Sequence, residues 1–410
     1  MSVGIEAMNF YTSPTSLDVR TLFKARGLDL DRFENLMMSK KSVGLPCEDS
    51  VTNGVNAAKP VIDQLSEKEK SSIELVITAS ESGLDFGKSL STYIHDYLGL
   101  SKNCRLFEVK QACYGGTAAL HMAINFIASN VSPGAKALVI ATDTAKASIK
   151  MTYSEPSQGT GAVAMLVSND PRILEIDLGA TGYYGYEVMD TCRPEPEIET
   201  GDSDLSLLSY LDCMEHSYNA YTSKVDNVDY QNTFDYLVFH TPFAGMVKGG
   251  HRKMMRQFKK MKGDLIEQDF NQRVQPSINY CVEVGNVYSA TVYLALCSLI
   301  DNSNLDTDKR VGIFSYGSGC SSEFYSGVIK QDAKQHMSSM GIKQNLDNRY
   351  ALTVDEYDNI LDISMDWVFG TKDKTVDFES FSDQYKHAME GKNYLVLNKV
   401  DNYHRQYIWS

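Results

Sequence analysis

Cys113, in QACYGGTAAL, opens a helical pattern directly after an apolar, strand-like run. Its sulfur is therefore expected at the positive end of a helix, where a thiolate is stabilised and becomes a nucleophile. Gly115 and Gly116 remove side-chain bulk there, so that a substrate and backbone amides can approach the sulfur as an oxyanion site requires. The competing reading is a buried, inert thiol beside a tight turn. His240 ends another apolar run and begins HTPF, which projects its imidazole from the carboxyl edge of a strand, where α/β sheets place ligands. Glu81, in TASESGLDFGKS, follows a third apolar run and is either a neighbour of a helix cap or a general base. Asn286, in VGNVYSAT, and Ser318, in YGSGCSS, hold corresponding edge positions further along the chain. Each of these alone is more often structural. Together, a thiol, a carboxylate, an imidazole and an amide at the same ends of neighbouring strands suit carbon–carbon bond formation on an acyl thioester.

The elements that must position them alternate in type. Strand-like runs are VGIEAMNF (3–10), IELVITAS (73–80), CRLFEVKQA (104–112), ALVIATD (137–143) and GAVAMLVS (161–168), and after a polar middle region FDYLVFH (234–240), YCVEVGN (280–286) and VGIFSYGSG (311–319). Helical patterns separate them, which predicts a parallel or mixed sheet covered by helices. FEVKQACYGGTAALHMAINFI (107–127) and CVEVGNVYSATVYLALCSLI (281–300) each read as strand, small-residue turn and apolar helix. This echo suggests two α/β halves packed into one body.

Composition removes several function classes. A chain of 410 residues is long enough for two or three domains of ~150 residues. With 39 Lys and Arg against 53 Asp and Glu the formal charge is −14, which argues against a general grip on nucleic acid or anionic lipid. No leader-like apolar segment follows the N-terminus and no later run nears the ~20 residues of a membrane span, so a cytoplasmic protein is expected. Eight cysteines without any C-x-x-C pair fit reduced thiols better than disulfides or zinc. Residues 187–204 hold seven acids against one Arg and read as an irregular surface excursion, whereas 248–262 hold seven Lys or Arg in 15 positions.

TASES, QACYGGTAAL, EPSQGTGAVAML, FHTPF, GNVYSATVY and FSYGSG together resemble the 3-hydroxy-3-methylglutaryl synthase family of the thiolase superfamily, and the likeness runs from VGIEAM to about residue 330. The resemblance implies an α/β, thiolase-like αβαβα layered fold built from two pseudo-repeated halves. Residues 1–170 would form the half with the nucleophile, 171–233 the acidic excursion and connection, and 234–410 the half with the catalytic His. It further implies that Cys113 accepts an acetyl group, that Glu81 removes a proton from the acetyl methyl, and that His240 orients and polarises a β-ketoacyl thioester with help from Asn286. Ser318 and Gly319 would bind substrate, the amides of Cys113 and Ser318 holding oxyanions. No metal or organic cofactor is implied, and a homodimer is.

One departure bears on the partner. CoA-using members carry a Lys after the HxPF segment, where HTPFAGMVK has Gly245. ETGDSDLSLLSYLD (199–212) is instead similar to the segment found in polyketide β-branching synthases, whose donor acetyl and acceptor β-ketoacyl groups ride on the phosphopantetheine of acyl carrier proteins. Carrier proteins are acidic, so Lys248, Arg252, Arg256 and Arg32 become candidate docking residues, with Arg26, Lys40 and Lys41 extending a second, weaker surface. A CoA-using hydroxymethylglutaryl synthase remains an alternative. So does a ketosynthase, although decarboxylative condensation has no need of Glu81. A papain-like hydrolase shares the order Cys, His, Asn but lacks the usual surroundings of its nucleophile. A non-catalytic scaffold is disfavoured by the retention of every candidate position.

Overall fold

The computed structural model describes residues 2–145 and 147–410. Eleven strands concern the site: β1 (Gly4–Tyr11), β2 (Ile73–Ala79), β3 (Arg105–Val109), β4 (Lys136–Asp143), β5 (Gly161–Ser168), β6 (Leu174–Gly185), β7 (Thr191–Glu195), β8 (Ile198–Gly201), β9 (Tyr236–Phe239), β10 (Lys309–Gly317) and β11 (Ser321–Ile329). Nine of them form one sheet in the order β9-β10-β11-β6-β1-β5-β4-β2-β3, and β7 and β8 pair separately as a two-stranded ribbon. β2 runs parallel to both β3 and β4, and β9 runs parallel to β10. The remaining pairs in the large sheet are antiparallel. β5, GAVAMLVS, is buried at every residue, as a strand covered on both faces requires.

Three helices build the layers around the site. α1 (Ser50–Ile62) is started by a reciprocal cap between Asp49 and Thr52 and packs on β1, β4 and β5. α2 (Gly115–Ala128) packs on β2, β4 and β5. α3, spanning Ser203–Thr222, lies on β6 and β11. Two further helices, α4 (Ala244–Lys259) and α5 (Thr291–Asn302), follow the His240 and Asn286 segments. α5 is buried from Thr291 to Ile300, which identifies it as a core helix. Thr117 Oγ1 lies 2.9 Å from Tyr293 Oη and donates to Ser315 Oγ at 2.8 Å, tying α2 to α5 and β10. No helix among the described residues is long and apolar enough to cross a membrane.

Two expectations are corrected. The strand read at 280–286 is the end of a helix, Gln275–Val284. The alternation in VEV suggests a strand, but Pro276 in the first turn starts a helix that buries Ile278, Cys281 and Val284 against α5. The acidic stretch 187–204 lies largely at the surface, as expected, but is not irregular, because it forms the β7–β8 ribbon and places Asp190 wholly inside.

Candidate active site

Parallel pairing brings the first two site residues together. Ala79 at the end of β2 sits opposite Val109 at the end of β3, so the chain leaves both strands at the same level. The turns that follow place Cys113 Sγ 3.7 Å from Glu81 Oε2. Ala112 stands at φ 42°, a left-handed conformation costly for a residue with a Cβ and common at sites held by their surroundings. Gly317, at the end of β10, has no room for a Cβ because the backbone of Gln111 and Tyr114 lies against it. Gly116 is likewise pressed under the Ser289 carbonyl, so this glycine serves helix packing, not the access to sulfur expected for it.

Burial dominates the electrostatics. Glu81 is pushed up to about 8, first by burial, with the Arg193 guanidinium opposing the rise and Asp143 and Glu199 adding to it. The Cys113 thiol is also held well above its ordinary value by burial and then by Glu81, Asp143 and Glu199. Burial first and then these three carboxyl groups favour the neutral thiol, against the thiolate expected at a helix N-terminus. Asp143, at the end of β4, accepts from the amides of Glu81 (2.8 Å), Ser82 (3.0 Å) and Ser289 (3.0 Å) and from the Ser80 hydroxyl (3.0 Å). It braces the Glu81 loop against the segment following Asn286.

His240 follows β9 and is anchored through its backbone. Its amide donates to Phe314 O at 2.8 Å, and its carbonyl accepts from Tyr210 Oη at 2.8 Å. Burial lowers the imidazole to about 3, so it is neutral at physiological pH. Its Nδ1 is buried without a partner among the described residues. Asn286 Oδ1 accepts from Tyr288 N (2.9 Å) and Thr291 Oγ1 (2.8 Å), which engages the oxygen and leaves the amide N–H pair unengaged among the described residues. Gly319, a cavity-lining residue, is held by its backbone. Its amide donates to buried Asp190 at 2.8 Å, and Asp190 also accepts from Tyr316 Oη at 2.6 Å.

Cys113, Glu81, His240, Asn286, Ser318 and Gly319 all line one cavity of about 950 Å³, with Arg32 among its lining residues and stacked over the Tyr153 ring at 4.0 Å. The basic block does not line this cavity. Lys248 pairs with Glu267 at 2.6 Å, Lys253 with Glu215 at 2.7 Å and Lys259 with Asp229 at 2.5 Å, so these charges are spent locally. Arg252 and Arg256 are exposed, have no ion-pair partner among the described residues, and border a shallow depression with Gly249. Two docking candidates are corrected. The Arg26 guanidinium is engaged between Glu155 (2.9 Å) and Asp358 (2.5 Å), and Lys41 is buried against the Glu155 carbonyl and Tyr357. Lys40 is exposed. At Gly245 any side chain would collide with the Asn35 carbonyl of the helix Leu30–Leu36.

Sequence reasoning missed Arg193, Glu199 and Asp143. Asp143 ends the ALVIATD run and could have been found by the edge rule that found Glu81. Arg193 was visible as the lone cation in an acidic stretch.

A thiol, a carboxyl group of raised pKa and a neutral imidazole at the carboxyl ends of strands from both halves of one layered sheet define a condensing enzyme of the thiolase-fold class. Family models bear this out. The hydroxymethylglutaryl-coenzyme A synthase N-terminal model matches residues 1–171, and the C-terminal model matches 176–259 and 252–409. The polyketide biosynthesis 3-hydroxy-3-methylglutaryl-ACP synthase PksG of Bacillus subtilis is 55% identical over 100% of this chain and 99% of its own. The HMG synthase of the curacin biosynthetic pathway, solved in complex with apo donor-ACP, matches at 55% identity with a TM-score of 0.97 over all of both chains. MvaS in complex with 3-hydroxy-3-methylglutaryl coenzyme A matches at 27% identity with a TM-score of 0.87, over 100% of this chain and 99% of that one. The chain belongs to the hydroxymethylglutaryl-CoA synthase family.

Proposed function

We propose that the protein is a 3-hydroxy-3-methylglutaryl-ACP synthase of the β-branching type. Acetyl passes from the phosphopantetheine thiol of a donor carrier protein to Cys113 Sγ, and the thiol proton leaves with the departing carrier thiol. Glu81 takes a proton from the acetyl methyl, and the enolate carbon adds to the β-keto carbon of an acceptor β-ketoacyl-ACP. The ketone oxygen takes a proton and becomes a hydroxyl. Water then cleaves the Cys113 thioester to a carboxylate. Nδ1 of neutral His240 and the Asn286 amide N–H pair, both without partners among the described residues, suit the acceptor ketone, while the amides of Cys113 and Ser318 suit the thioester oxygens. The observation that carries the reading is the 3.7 Å contact of Cys113 and Glu81 inside one cavity with His240.

Carrier proteins as partners are supported by the names of the relatives at 55% identity and by exposed Arg252 and Arg256 in a chain of charge −14. The absence of a side chain at 245 supports them over free CoA. A homodimer is supported by β3, which ends the sheet and, among the described residues, pairs only with β2. Cytoplasmic placement is supported by cysteines that are all unpaired, including Cys213 and Cys320 with sulfurs 3.3 Å apart. Division near residue 170 is supported by the two family models meeting between 171 and 176, with the 171–233 segment read as the connection.

Reconstitution with acetyl-ACP and acetoacetyl-ACP, read by mass spectrometry of the carrier-bound product, tests the reading. A hydroxymethylglutaryl adduct on the acceptor carrier is expected. Equal turnover of acetyl-CoA and acetoacetyl-CoA would place the enzyme in the CoA-using branch.

A further inference from the structure

Arg193 enters the cavity from β7 of the ribbon. Its Nη1 donates to the Glu81 carbonyl oxygen at 3.2 Å, and its Nη2 lies 3.4 Å from Glu81 Oε1. The same Nη2 donates to Glu199 Oε2 on β8 at 2.9 Å, and the guanidinium lies 4.9 Å from the centre of the Tyr288 ring. Glu199 is fixed in turn by Gln158 Nε2 at 2.7 Å. A contact with Glu199 alone would close the ribbon on itself. Gripping Glu81 at both its carbonyl and its carboxylate goes further, because it fixes where that carboxyl points.

We infer that Arg193 is a positioning residue for the carbon–carbon bond-forming step, holding the Glu81 carboxylate toward the acetyl group on Cys113 and favouring its ionised form. The inference rests on Glu81 being the base. The groups facing Glu81 are Asp143 from the end of β4, Cys113 from the turn after β3, Arg193 and Glu199 from the ribbon, and Tyr288 from the turn after Asn286. Arg193 is the cation among them, and it opposes burial, Asp143 and Glu199, all of which favour the neutral acid. Glu199 competes for the same guanidinium and so sets how much of that charge Glu81 receives. The acidic ribbon thereby becomes part of the site, supplying a cation and its partial counterweight together.

The test isolates proton removal from condensation. Enzyme acetylated on Cys113 by acetyl-ACP is placed in D₂O buffers from pH 5.5 to 9.5, and deuterium entering the acetyl methyl is followed by peptide mass spectrometry. Wild-type exchange should rise with pH toward a midpoint near 8. Arg193→Gln should still load acetyl, lose about tenfold or more of its exchange rate at pH 7, and move its midpoint alkaline by about one unit. Arg193→Lys should recover part of the loss. Glu199→Gln, which keeps the guanidinium and frees it for Glu81, should move the midpoint acid and serves if Arg193→Gln does not fold. An unmoved midpoint in Arg193→Gln, or in Glu199→Gln where only that variant folds, overturns the inference, even if loading or stability suffers. Exchange in Glu81→Gln as fast as wild type instead overturns the assignment of the base.

Discussion

Cys113 Sγ and Glu81 Oε2 face each other across 3.7 Å, carried there by turns that leave neighbouring parallel strands at the same level. Both groups are protonated more readily than usual, so the thiol gives up its proton in the course of acyl transfer, to the departing carrier thiol. A base raised to about 8 is ionised in about one molecule in ten at pH 7. Condensation should therefore climb about tenfold between pH 6 and 7 and flatten above 8, measured under saturating acetyl-ACP. A profile flat from pH 5.5 upward would mean that a carboxyl of ordinary acidity controls the step.

Asp190 joins the ribbon to the loop that carries Ser318. Replacing it with Ala leaves the Gly319 amide and the Tyr316 hydroxyl without their acceptor. The cost should be about 1–3 kcal/mol of stability, together with a loss in kcat as the Ser318 amide loses its support. Thermal denaturation and steady-state kinetics check both effects, and unchanged kcat would detach this brace from the site.

Gly245 permits the helix Leu30–Leu36 to approach α4, whose first turn it occupies. Gly245→Lys, which restores the residue of CoA-using relatives, should destabilise the protein by about 1–3 kcal/mol through overpacking. It should not raise turnover with acetyl-CoA. A stable variant with improved CoA use would show that the position governs the thioester carrier directly.

Arg252 and Arg256 are the members of the basic block that are exposed without an acidic partner among the described residues and that border the same depression. Reversal of both to Glu should weaken binding of the donor carrier and slow its association. The defect should shrink as salt screens the field over ~8–10 Å. Turnover of small thioester mimics should persist. Surface plasmon resonance at two ionic strengths checks this, and unaltered binding would make the pair a solvated face only.

The edges that carry the site were legible because long apolar runs end at them. IELVITAS delivers Glu81, FDYLVFH delivers His240 and VGIFSYGSG delivers Ser318, and burial on both sheet faces demands such runs. What escaped was decided by long-range pairing. Arg26 and Lys41 look like surface cations until Glu155, more than 110 residues away, engages them. Arg193 was masked by the acids around it, since net charge along a segment says nothing about which single side chain turns inward. The helix ending at Val284 was misread because VEV alternates, whereas the packing against α5 that decides the matter is tertiary.

The most direct test of the account is acetyl loading and condensation measured side by side in Glu81→Gln. Peptide mapping after incubation with acetyl-ACP should find one acetyl group on Cys113, absent in Cys113→Ala, and Glu81→Gln should load it. The same variant should lose condensation with β-ketoacyl-ACP by ~10²–10⁴-fold or more, as removal of a general base predicts. Acetyl found on Cys320 or Cys281 instead, or condensation by Glu81→Gln at the wild-type rate, would contradict it.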